Sequence, residues 1–167
     1  MGTVRIALNI DQAQPVPSET FPEYKIAGSS ISIASYSFDA GATESIQFTI
    51  PYVPTYGSGN ITCSLLWYAD TASSGNVVWG ASIACLTPET DTQNIETDAW
   101  ATENTVTDSH LGTTGQRLHT AVVTISNLDS ITTGDYLSVR VRRLGGNGSD
   151  TMTGDAQLTG VILDYSN

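Results

Sequence analysis

Residues Ile61–Leu86, ITCSLLWYADTASSGNVVWGASIACL, decide the fold of this chain. Ile61, Cys63, Leu65 and Trp67 fall on every second position. So do Val77, Trp79, Ala81, Ile83 and Cys85. Side chains of a strand alternate between its two faces, so each run is a β-strand with one wholly apolar face. Thr71-Ala72-Ser73-Ser74-Gly75-Asn76 separates them with turn-forming residues. The simplest reading is a β-hairpin whose two apolar faces both turn to the core. Pairing around that turn would bring Cys63 near Cys85. The pair could then be a cross-strand disulfide, or two buried thiols packed as small hydrophobes, which is the simpler reading.

The same alternation recurs on both sides. Ile31–Phe38 is a candidate strand, and Glu44–Ile50 places Ile46, Phe48 and Ile50 on one face. A short strand is expected near Asn104–Asp108, inside a polar 87–116 loop. Leu118–Ser126 alternates through Ala121, Val123 and Ile125. In Tyr136–Arg143, Leu137, Val139 and Val141 face inward, while Ser138, Arg140 and Arg142 face outward. Ala156–Tyr165 closes the series, with Gly160 as a candidate bulge. The expected fold is therefore all-β, an antiparallel, jelly-roll-like sandwich of about eight strands. The expected division is an extended N-terminal arm over residues 1–28 and a sandwich domain over 29–167. Val4–Ile10 alternates as a strand would. Pro15, Pro17 and Pro22 keep the rest of the arm extended, and Phe21, Tyr24 and Ile26 need burial, on their own core or on a neighbour.

Composition agrees. Charged residues make up 14% of the 167, against roughly 25% in an average soluble domain, and Ser and Thr take their place. The net charge is −11, from 17 acidic and 6 basic side chains. Such a surface repels phosphate backbones and anionic membranes, so neither nucleic acid nor membrane is an expected partner. No run reaches the ~20 apolar residues that span a bilayer, and Met1–Asp11 lacks a signal-peptide pattern.

No catalytic constellation is expected. Only His110 and His119 could serve as a base, and no G-x-S-x-G elbow is present. Acidic residues lie mainly in Thr- and Ser-rich loops, where they solvate or cap turns. Asp91, Glu96 and Asp98, or Asp150 and Asp155, could offer oxygens to calcium, but neither set matches an EF-hand loop. No metal and no cofactor is therefore expected. Arg140, Arg142 and Arg143 hold half of all basic charge and are candidates for structural ion pairs, with Asp150 and Asp155 close in sequence. Phe21, Tyr24, Tyr52, Tyr56 and Trp100 are the candidate partner contacts, because they stand in the arm or in loops.

A run of short motifs carries a resemblance. Its parts are Phe38-Asp39-Ala40 with Glu44–Phe48, Leu66-Trp67-Tyr68-Ala69, Gly75–Gly80 and Glu103–Asp108, then Gly134–Arg143, Ser149-Asp150-Thr151 and Gly154-Asp155-Ala156. Over roughly residues 36–165 the chain resembles a β-sandwich module of tailed-phage virion proteins, among them head decoration and fibre proteins. The resemblance implies a structural role, as a homotrimer, on the outer capsid surface in contact with the major capsid protein. It carries over no catalytic residue. The expected function is a capsid decoration or cement protein, with the arm as the bridge. The alternatives are a fibre or tail-tip module for host surface glycans, and a free carbohydrate-binding module, against which the missing signal peptide weighs.

Overall fold

A computed structural model describes residues 1–112 and 116–167. Residues 113–115 of the expected 87–116 loop lie outside them. Among the described residues the chain forms eleven strands and one 3-10 turn, Ile10–Gln12. The first 27 residues supply β1 (Thr3–Leu8), β2 (Gln14–Pro15) and β3 (Glu23–Ala27). The eight strands expected beyond residue 30 follow in order. They are β4 (Ile33–Phe38), β5 (Thr43–Ile50), β6 (Ser58–Ala69), β7 (Asn76–Leu86), β8 (Asn104–Ser109), β9 (His119–Ile125), β10 (Tyr136–Leu144) and β11 (Ala156–Ser166).

Two antiparallel sheets face each other. One has the order β3-β4-β11-β6-β9, with β1 also paired to β11; the other runs β2-β5-β10-β7-β8. β6 occupies one edge of β11. β4 and β1 share the other end to end, at Ala156–Leu158 and Val161–Ser166. The register slips between Leu158 and Gly160, so Gly160 does mark a bulge. No described helix is long and apolar enough to cross a membrane.

The expected β6–β7 hairpin does not exist. β6 pairs with β11 and β9, and β7 with β10 and β8, so the two strands lie in opposite sheets. Their apolar faces meet across the core instead of side by side. The Trp67 and Trp79 rings are both wholly buried and 6.1 Å apart, and Phe38 meets Trp79 edge-on at 5.2 Å. Cys63 accordingly sits between Leu163 and Val123 in one sheet and Cys85 opposite Leu137 in the other, both as free thiols. Bonds to the β10–β11 loop hold the crossing. Thr151 and Met152 amides donate to the Asn76 carbonyl, the Asn76 amide donates to Thr151 Oγ1, and the Val78 amide donates to Asp150 Oδ2. Gly75 has φ +99° there, and a Cβ on it would come 2.7 Å from Met152.

The proline-rich segment packs on its own core. Leu8, Ile10, Ala13 and Val16 are buried, β2 adds to β5 through Gln14–Gln47, and β3 adds to β4. Pro15 and Pro17 suit this edge, where a missing N–H leaves no ladder bond unmade.

Candidate functional site

The outward rows of β5, β10 and β7 make the floor of a groove. Gln47 of β5, Tyr136 and Ser138 of β10, and Ala84 and Leu86 of β7 line it, while Arg140, paired with Gln47 and Ser82 further along the same rows, is buried and does not. Their alternate neighbours Ile46, Phe48, Val139, Ile83 and Cys85 point into the core. Two irregular segments wall this floor. Val16–Glu19 comes over from the β2 side, and Ile95–Trp100 from the long β7–β8 connection. The groove between them encloses about 520 Å³. A second hollow of about 230 Å³ abuts it, sharing Leu86, Ile95 and Tyr136 and continuing past Pro88 to Gln93.

Arg140 ties the walls to the floor. Its Nη1 donates to Glu19 Oε1 at 2.6 Å, its Nε donates to Ser82 Oγ at 3.1 Å, and its guanidinium lies 5.1 Å from the centre of the Trp100 ring. Arg142, two residues on along the same face, makes a two-bond pair with Glu103 at 2.7 and 2.8 Å. Glycine at position 80 makes that pair possible: a Cβ there would stand 2.5 Å from the Glu103 carboxyl carbon. The Ala101 amide donates to the Ile83 carbonyl at 2.9 Å and fixes the segment beside Trp100. At the other end Asp135, almost fully buried, accepts from Thr87 Oγ1, Thr132 Oγ1 and the Thr132 amide, which anchors the start of β10 beneath Tyr136.

Among the described residues, two buried oxygens of this site have no hydrogen-bond partner, Glu19 Oε2 and Asp98 Oδ2. Buried polar atoms are normally paired, so each can accept from a donor on a bound ligand. The groove therefore offers two aromatic rings, Trp100 and Tyr136, beside Gln47, Ser138, Thr97 and under-used carboxylate oxygens. That set can hold a ligand that is apolar on one side and hydroxyl-rich on the other. It holds no histidine, cysteine or lysine that could act as base or nucleophile.

Of the aromatics singled out in the sequence, only Trp100 lines the groove. Phe21 and Tyr24 pack edge-on against Tyr36 at the β3–β4 edge, with the Tyr24 hydroxyl on Asp11. Tyr56 packs on Tyr165, and Tyr52 stands exposed between β5 and β6. Of the charged set, Arg143 pairs with Asp150, while Asp155 meets no arginine and accepts from Ser37 Oγ. Arg140 and Arg142 take Glu19 and Glu103, both missed in sequence because they lie 121 and 39 residues away. Tyr136 and Gln47 were also missed as site residues, although alternation places both outward. His110 and His119 lie together away from the groove, their rings 4.9 Å apart. Asp91 and Asp98 cap turns at the Thr87 and Ala99 amides.

No protein-family model and no curated protein matches the chain. Solved structures do. A carbohydrate-binding module specific for non-crystalline cellulose superposes with a TM-score of 0.53 at 10% identity, over 93% of this chain and 89% of its own. A xylan-binding module superposes with a TM-score of 0.50 at 14% identity, over 99% of both chains. The chain thus shares the β-sandwich fold of these modules.

Proposed function

We propose that this protein binds carbohydrate and does not turn it over, with the groove on the β5-β10-β7 face as the binding site. The observation that carries the reading is the groove itself. About 520 Å³ lies within the range of small-ligand sites, and its lining sets Trp100 and Tyr136 beside hydrogen-bonding side chains with unmet capacity. A sugar ring has a C–H face that packs on an aromatic ring and a hydroxyl rim that needs polar partners. The two abutting hollows suit a chain of several sugar units. The shared fold with carbohydrate-binding modules supports this alternative over the virion-decoration reading. The arm over residues 1–28, the expected bridge between capsid subunits, contributes β1, β2 and β3 to the protein's own sheets.

The test is calorimetric titration with a panel of soluble oligosaccharides and polysaccharides, repeated on Trp100→Ala and Tyr136→Ala. Binding to at least one glycan, weakened about tenfold or more by either substitution, is the expected result. A folded protein that binds none of the panel, or whose binding ignores both substitutions, would refute the proposal.

A further inference from the structure

We infer that the groove selects a glycan bearing free amino groups, a glucosamine-type oligomer, over neutral and acidic glycans. The inference rests on the carbohydrate-binding reading above and concerns which carbohydrate.

The lining is one-sided in charge. Glu96 and Asp98 line the main groove beside Glu19, whose charge is met by Arg140; Glu89 and Asp91 line the hollow that continues it, and neither hollow is lined by a single basic residue. The two nearest cations are already engaged. Arg140 is bound by Glu19 and stands against Trp100, and Arg142 is held by Glu103. Each of these two charges is thus already met by a carboxylate of the chain itself. The whole chain carries a net charge of −11, which adds to the repulsion of any anionic glycan.

The carboxylates are also spread out. Among the described residues no three acidic, histidine or cysteine side chains converge closely enough to hold a metal ion. Acids strung along two abutting hollows match a ligand whose positive charges are themselves spaced along a chain, as amines are on successive sugar rings. The aromatic pair Trp100 and Tyr136 accounts for the rings between those charges, which a basic peptide would not supply. Among the described residues, nothing donates to Glu19 Oε2 or Asp98 Oδ2. A sugar hydroxyl would satisfy either one. An ammonium group would do so with a charge-assisted bond, about twice as strong as a neutral one.

The experiment titrates the intact protein, in mildly acidic buffer at low and at physiological salt, with a glucosamine hexamer, its N-acetylated counterpart, a xylose hexamer and a lysine hexapeptide. The glucosamine hexamer should bind roughly tenfold or more tightly than the other three, with affinity falling as salt rises. Asp98→Asn and the exposed Glu96→Gln should each weaken the amine-bearing sugar several-fold more than they weaken a neutral sugar, whereas Trp100→Ala should weaken every sugar alike. A neutral hexamer that binds as tightly, with Asp98→Asn and Glu96→Gln harmless, overturns the amine selectivity and leaves carbohydrate binding standing. A lysine hexapeptide that binds as tightly shows attraction by charge alone and overturns it too. If no sugar binds, the carbohydrate reading falls and this inference with it.

Discussion

Arg143 and Asp150 form a fully buried pair, joined by two parallel hydrogen bonds: Nε to Oδ2 at 3.0 Å and Nη2 to Oδ1 at 2.8 Å. The remaining guanidinium hydrogens reach the carbonyls of Phe38, Gly154 and Met152, so every donor is used. The Val78 amide completes Asp150. One ion pair therefore fastens β10, the end of β4, the start of β7 and the β10–β11 loop.

Removing one partner leaves a charge stranded in the core. Asp150→Ala or Arg143→Met should destabilise the protein by about 3–5 kcal/mol, measured by urea unfolding. The double variant should cost less than the two single losses added together, because no unpaired charge remains. Additive losses would show that the two residues stabilise the fold independently.

The strand faces were legible in the sequence because a period of two needs no knowledge of the partner strand. Ile46, Phe48, Val139 and Ile83 all point where alternation puts them. Strand partners were not legible. Alternation says that Trp67 and Trp79 face the core, but a six-residue connection serves equally a hairpin or a crossing between sheets, and only β11 and β10 decide between them. The groove was half legible for the same reason. Trp100 stands out as a large ring in a polar loop, but Glu19 reaches the groove through long-range contacts, the β2–β5 pairing, the Thr20–Glu44 bridge and the Arg140 ion pair, that no local pattern announces.

The two cysteines follow from the crossing. Burial pushes the Cys63 thiol up to about 12, and burial, with nearby Asp129, raises Cys85 as well. Thiolate is the reactive form, so both should resist iodoacetamide in the native protein and react together on unfolding. Mass spectrometry of the native protein should show no disulfide mass deficit. Rapid native labelling of Cys63 would contradict the packing.

His119 makes stability depend on pH. Its ring stacks on Trp67 at 4.2 Å, is almost fully buried, and leaves Nε2 without a partner among the described residues. Burial lowers its pKa; Asp108 opposes this from 3.9 Å, while His110 and Arg117 add to it. The unfolded chain then holds the proton more readily than the folded one. Stability is full above the ordinary imidazole value of about 6.5 and falls as pH drops through it toward the lower folded value. Urea midpoints between about pH 7 and pH 5 should decline, and His119→Gln should flatten that decline. An unchanged slope in the variant would assign the acid sensitivity to other groups.

Gly80 and Glu103 should prove coupled. Arg142 holds the Glu103 carboxylate directly over Gly80, where any Cβ would meet it. Gly80→Ala must push the carboxylate off the guanidinium, because the strand backbone is fixed by β10 on one side and β8 on the other. The expected cost is about 1–3 kcal/mol, the usual range for an overpacked site. Glu103→Ala removes both the clash and the pair. Adding Gly80→Ala to it should then cost almost nothing further, and thermal unfolding of the four proteins measures this as a double-mutant cycle. Equal costs of Gly80→Ala in the two backgrounds would mean that the glycine serves the backbone and not the ion pair. Because Glu103 stands three residues from Trp100, Gly80→Ala should also weaken glycan binding in the same titrations, even though Gly80 does not line the groove.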